Sequence, residues 1–236
     1  MTRANDIDRL YGLLAELEER VNGKQKLKDC TGYMNWPDRG VYFFFAPQEY
    51  RDVDNQLRVT RIGTHAVSEG SSTSLWDRLR THRGAKRGTY EGGGNHRGSV
   101  FRKRVGEAFV ERESLHDEYP YWGEGSSAKR ERRLSELEME QRVSDYLRDL
   151  PFLWVDIDDK PSADSQRAYI ERNTIALLSN YQRDAIDPRS DDWLGTYSRS
   201  GKITESGLWN VNHVDEEYDP TFLTHLEEYV NETSTP

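Results

Sequence analysis

The sequence predicts a mixed α+β fold in which a small three-stranded antiparallel sheet is flanked by helices. Two short runs rich in β-branched and aromatic residues, 40–46 and 57–64, are separated by a polar turn, as in a hairpin. A third apolar run at 152–157 follows a proline far downstream. Around these runs, apolar residues recur three and four apart, the spacing of helices that bury one face.

In chain order, Asn5-Asp6 can cap a helix over 5–22 whose stripe is Ile7, Leu10, Leu14, Leu17 and Val21. That stripe needs a cover, either the core or a second subunit. Pro37 and Gly40 lead into Val41-Tyr42-Phe43-Phe44-Phe45, the first strand, and Asp52-Val53-Asp54-Asn55 is the turn. Ser71-Ser72-Thr73-Ser74 offers cap hydroxyls before a helix opening at Leu75. Residues 84–98 are glycine-rich and basic, which predicts a flexible loop. Residues 99–111 are helical, with Val100, Phe101, Val105 and Phe109 inward. A long charged helix is expected over 126–150, with Leu134, Leu137, Val143, Tyr146 and Leu147 on its apolar side. Pro151 ends it before the third strand. A helix over 165–181 and a short one near 221–230 complete the chain, with the last six residues expected to fray.

The chain has 236 residues, 34% hydrophobic and 32% charged, with 26 aromatics, too many for a disordered chain. One core with charged excursions is expected, organised as a single domain over 1–236. No run approaches the roughly 20 apolar residues of a membrane span, and the N-terminus lacks a signal-peptide core. A membrane protein and a secreted one are therefore excluded, and a cytoplasmic location is expected. The single cysteine, Cys30, excludes a disulfide framework and paired-thiolate zinc sites, and the six histidines show no metal-ligand spacing. The net charge of −9 hides an uneven distribution. Residues 76–104 carry nine cations against Asp77 and Glu91, a net of +7, which leaves −16 for the rest. Such a stretch suits a polyanion, or else pairs with acidic neighbours.

Gly40-Val41-Tyr42, then Arg61-Ile62-Gly63, then Arg78 and His82 one turn apart on a helix, then Glu171 and Asn180 on a late helix, follow one another in order. This series resembles the GIY-YIG nuclease superfamily, in its restriction-endonuclease-like form. The resemblance covers 40–82 and 152–181. It makes 83–150 a basic helical insertion and 182–236 a C-terminal extension, with the 5–22 helix outside the match. It implies a Mg²⁺-dependent endonuclease acting on double-stranded DNA, with Mn²⁺ as a substitute metal. Tyr42 would be the base, Arg78 would hold the scissile phosphate, and His82 would orient Tyr42 or the water. Asn180 would hold the site geometry, and Glu171 would hold the metal. Arg61 stands where the family has its second tyrosine. It either holds water or phosphate by charge, with an adjacent cation favouring a phenolate, or marks a site that binds DNA without cutting. Cutting both strands of a palindrome would require a homodimer, with the N-terminal stripe as a candidate interface.

DNA contacts are expected from Arg83, Lys86, Arg87, Asn95, His96, Arg97, Arg102 and Lys103. The loop around Gly92-Gly93-Gly94 lacks the Gly-Lys-Ser/Thr ending of a P-loop, so no nucleotide cofactor is expected. Asp158-x-Lys160 after a strand suggests a rival PD-(D/E)xK site. That site needs an upstream acid on a strand, and Asp145 and Asp149 fall on a helix. Each residue also has a bland alternative: Tyr42 as a core aromatic, Arg78 and His82 as a solvated face, Glu171 as a first-turn carboxylate, Asn180 as a helix-end residue.

Overall fold

The computed structural model describes residues 2–234. Helix α1 (Arg3–Arg20) starts two residues earlier than the sequence suggests, because Thr2 is the cap and accepts from the Asn5 amide. Its stripe of Ile7, Leu10, Leu14 and Leu17 is buried, and α1 packs against β4 (Pro151–Asp156), α6 (Gln166–Leu178) and α8 (Phe222–Glu232). The expected N-terminal interface is therefore covered by the chain's own core.

The sheet has four antiparallel strands in the order β1-β4-β2-β3, one more than expected. The extra strand, β1 (Gln25–Lys26), pairs with Phe152 and Pro151 and is too short and polar to show a period. β2 (Gly40–Tyr50) is central, its residues 40–46 buried, with β3 (Leu57–Gly63) on one side and β4 on the other. Tyr42 faces Gly63 on β3 and Trp154 on β4. A Cβ on Gly40 would lie 2.3 Å from the Val155 carbonyl, so only glycine lets these strands close. The outer edge of β3 is covered rather than open. The Trp209 amide donates to the Thr60 carbonyl (2.7 Å), and the Asn210 side chain accepts from the Ile62 amide and donates to its carbonyl.

Helix α2 (Leu75–Arg83) opens on a reciprocal Ser74–Asp77 capping box. The expected flexible loop after it is instead tied down. Ala85 N donates to Gly93 O (2.7 Å) and Gly92 N to Ala85 O (2.9 Å), and residues 96–98 form a 3₁₀ turn. α3 (Val100–Glu113) follows. The expected helix over 126–150 is two helices, α4 (Arg130–Ser135) and α5 (Leu137–Asp149), and Leu134 is exposed rather than inward. The break falls at Glu136, whose carboxylate is held by Arg97. Past α6 come a 3₁₀ turn (Leu194–Tyr197), α7 (Gly201–Ser206) and α8. α8 does not fray at residue 231: it runs to Glu232, and the buried Thr233 hydroxyl accepts from the Asp156 amide. Residues 235–236 lie outside the described part. One buried cluster runs from Ile7 to Val230, so the core, insertion and extension share a single interior.

Candidate active site

Alternation along β2 and the Tyr42–Gly63 and Phe44–Arg61 pairings put Tyr42, Phe44, Arg61 and Gly63 on one sheet face. Across that face lies α2, and the Tyr42 hydroxyl meets it. Its oxygen is 3.0 Å from His82 Nε2 and accepts from Arg78 Nε at 3.4 Å. The Tyr42 ring packs edge-on against Phe44 and His82 and has no exposed surface. The hydroxyl lies directly over Gly63, where a Cβ would come within 2.3 Å of it. The glycine that ends β3 is thus a consequence of the tyrosine's position.

His82 is fully buried. Burial, then the charges of Arg78, Arg61 and Arg102, hold its pKa well below the ordinary histidine range, so the ring is neutral. Its Nδ1 lies 3.4 Å from Ser99 Oγ, and that oxygen already accepts the Arg102 amide as the cap of α3. If the serine donates to Nδ1, the ring hydrogen lies on Nε2 and goes to Tyr42; if it accepts, the ring hydrogen lies on Nδ1 and Tyr42 donates to Nε2. The first arrangement is the one that leaves the Tyr42 oxygen an acceptor, as a base requires. Arg102 fixes the same residue from behind, giving one N–H to the His82 carbonyl (2.8 Å) and others to Glu140 and Ser144. Ser99 and Arg102 come from the insertion, and nothing in their local sequence marks them as partners of His82.

Glu171, on α6, accepts the Thr64 amide at 3.2 Å, and Thr64 Oγ1 donates to the Gly40 carbonyl. The end of β3 thus ties the glutamate to the start of β2. Burial raises the Glu171 pKa above the ordinary carboxylate value, opposed in turn by Arg61, His213, the Thr64 N–H and Arg78. Tyr42 and Glu171 both stabilise the Arg78 cation against burial. Arg61 is nearly buried, 3.4 Å from the Trp209 carbonyl and over the Phe101 ring, and its Nε has no partner. Tyr42, Arg61, Arg78, His82 and Glu171 thus interact as one cluster of side chains. Asn180 is not among them: it accepts from Arg3 (2.8 Å) and the Ile186 amide, clasping the loop after α6.

His65, not singled out by sequence, is buried beside this region with Nε2 3.3 Å from the Asp38 carbonyl. Burial and then Arg167, Arg78 and Arg39 hold its pKa down at about 4. Among the described residues, no group of three His, Cys, Asp or Glu side chains is arranged to hold a metal. Glu171 is a single carboxylate that feels the charges of Arg61 and Arg78, and one carboxylate is the donor set required by a hard cation that keeps most of its waters and arrives with a phosphate. The rival acids are elsewhere engaged: Asp159 binds Arg167, Asp158 lies 3.4 Å from Arg39, and Asp145 and Asp149 sit on α5.

Of the eight expected DNA-contacting residues, four are corrected to inward positions. Arg97 makes a bidentate pair with Glu136, and Arg102 is buried on Glu140. His96 is buried between Glu140 and the Trp122 ring. Arg83 donates to the Cys30 carbonyl and lies over Trp76. Lys86, Arg87 and Asn95 are exposed, and Lys103 is partly so, 4.0 Å from Glu107. Acids distant in sequence thus neutralise much of the basic stretch.

No helix among the described residues is long and apolar enough to cross a membrane. The entire chain, residues 1–236, matches a family model described as the GIY-YIG domain. The match runs through the segment between α2 and β4 and both ends, beyond the two stretches that carry the motifs. No curated protein and no solved structure matches the chain.

Proposed function

The chain belongs to the GIY-YIG family, a nuclease-type domain, and from that premise we propose that it is a Mg²⁺-dependent endonuclease hydrolysing phosphodiester bonds of double-stranded DNA. The observation that carries the proposal is the convergence of His82 Nε2 and Arg78 Nε on the Tyr42 oxygen, beside Arg61 and Glu171.

Hydrolysis needs a base for the attacking water, neutralisation of the phosphate, and help for the leaving oxygen. Tyr42 takes the water's proton. It does so as a phenolate, having first lost its own proton; the N–H groups of Arg78 and His82 offset that negative charge, and the transfer from water returns the neutral phenol. His82 is a positioning residue: neutral and buried, it orients Tyr42 and carries no proton away. Arg78 donates to the phosphate in a planar fork that lysine cannot supply, and Arg61 adds a second positive charge where the family has tyrosine. Glu171 would hold Mg²⁺ or Mn²⁺, which when bound neutralises charge on the phosphate and leaving oxygen. Lys86, Arg87, Asn95 and Lys103 contact DNA beyond the reacting bond. The proposal extends to a restriction-type role, a homodimer for double-strand cutting, and a cytoplasmic setting, where the lone buried thiol of Cys30 suits a reducing environment.

A second function, binding DNA without cutting it, is favoured by one observation: Tyr42 has no exposed surface. Incubating plasmid with the protein in Mg²⁺, Mn²⁺ or EDTA, alongside Glu171→Ala and Tyr42→Phe, separates the two. Metal-dependent cutting lost in both variants is the expected result. DNA binding without cutting under every condition would select the binding module instead.

A further inference from the structure

Ion pairing is the rule for this protein's arginines; Arg3 and Arg83 instead donate to backbone carbonyls and Arg61 and Arg78 lie in the candidate site, while a further set of cations is grouped on one surface. Arg9, Arg51, Arg142, Arg172 and Arg199 each meet a carboxylate. Among the described residues, Lys86, Arg87, Lys129, Arg130, Arg132 and Arg133 make no ion pair. Two of them rest on tyrosines instead: Arg132 is 4.1 Å from the Tyr121 ring centre and Arg133 is 3.9 Å from that of Tyr90. Stacking on a ring holds the guanidinium without neutralising it, and its N–H edge stays available to an anion.

Tyr90 belongs to the same loop as Lys86 and Arg87. That loop is docked on α5 by Gln141 Nε2 donating to the Glu91 carbonyl (2.8 Å) and Arg148 to the Gly92 carbonyl (3.0 Å). Two basic segments distant in sequence therefore share one face, with Glu91 and Glu131 the only acids inside them. The surface is concave at both ends. A hollow of about 700 Å³ is lined by Ser127, Lys129 and Arg132, and one of about 370 Å³ by Arg80, Lys86, Arg87 and Asn95.

We infer that residues 86–87 and 129–133 form one phosphate-binding face that takes the sugar-phosphate backbone of duplex DNA. Its choice of polyanion rests on the nuclease function proposed above. In a chain of net charge −9, general repulsion of polyanions is overcome only where unpaired cations are concentrated. Backbone contacts of this kind fix the register of the protein on the duplex and carry no sequence information.

The test is anisotropy of a fluorescein-labelled duplex titrated with full-length protein in EDTA across a range of salt. Each phosphate contact contributes about 0.9 to the slope of log affinity against log salt, so Arg130→Gln/Arg132→Gln/Arg133→Gln should lower the slope by about 2.7. Lys86→Gln/Arg87→Gln, at exposed positions, should lower it by about 1.8. Arg9→Gln, which loses its contacts with Glu227 and Thr224 on α8, should leave the slope as in wild type. If wild type binds duplex and both multiple variants keep its slope, the face is wrong while the nuclease function stands. If wild type binds heparin but not duplex, the choice of DNA is overturned along with that function.

Discussion

Replacing Gly63 with alanine tests the geometry of the site most directly. The new Cβ would sit 2.3 Å from Tyr42 Oη and 2.4 Å from Cζ. Ordinary contact begins at about 3.4 Å, so the phenol must retreat by about 1.1 Å. It has nowhere free to go, being enclosed by Phe44 on its own strand, His82 on α2 and Trp154 on β4. Overpacking of a buried site costs about 1–3 kcal/mol, which lowers Tm by about 2–12 °C in a domain of this size. The retreat also opens the 3.0 Å contact with His82, and displacement of a reacting group by about 1 Å lowers cleavage on the order of 10²-fold. Gly12→Ala is the control. It lies on the exposed face of α1 with nothing within 4 Å of the added methyl, so it should gain about 0.5–1 kcal/mol. Differential scanning calorimetry and plasmid nicking read both variants. A Gly63→Ala protein with wild-type Tm and wild-type nicking would refute the placement of Tyr42.

The ring hydrogen of His82 is checked by ¹⁵N NMR of histidine-labelled protein. Wild type should show the Nε2–H tautomer, Ser99→Ala should lose that preference, and an unchanged spectrum would free Ser99 of the role. Glu140 is raised by burial, but the hydrogen bonds from His96 and the charge and N–H groups of Arg102 outweigh this and hold it at about 2. A depressed carboxyl contributes stability above its ordinary 4.5 that is lost as pH falls towards 2. Glu140→Gln should therefore remove roughly 3 kcal/mol of acid-dependent change, seen by urea unfolding across that window. Arg61 is the largest charge opposing the raised pKa of Glu171. Arg61→Gln should shift the acid limb of the cleavage profile to higher pH, and an unmoved limb would mean that another group governs it.

The sheet and the helix bearing Arg78 and His82 were legible because their signals are local: the aromatic run of β2, the polar turn, and the Ser74 cap. Tyr42, Gly63, Arg78 and Glu171 come together because the order of elements fixes which face each meets. Ser99 and the inward turn of Arg97 and Arg102 were not legible. Their partners, Glu136 at the break between α4 and α5 and Glu140 on α5, lie well downstream, and a run of cations carries no mark of which acids will reach it. The loop at 84–98 misled for a related reason. Glycines suggest mobility, but Gly94 is small because the Arg102 guanidinium lies against it, where a Cβ would come within 2.3 Å. Asn180 illustrates the converse: a plausible residue type on what reads as a helix over 165–181, but lying just past the end of α6 and engaged by Arg3 on another task.

The strand order has a consequence for how this protein is made. β2 lies at the centre of the sheet, yet β4, which covers one of its edges, is synthesised only after residue 150. At roughly 5–20 residues per second, the edge carrying Val41-Tyr42-Phe43-Phe44-Phe45 waits unpaired on the nascent chain for roughly 5–20 s. An open, aromatic, uncharged edge is the part of a chain most prone to pair with a neighbour. The helices between α2 and β4 are synthesised before β4, and Phe101 of α3 packs on Phe44, so they are the first structure available to shelter that strand. Vectorial folding would then require the segment before the sheet requires β4, and excising it would leave β2 exposed at the moment it most needs cover.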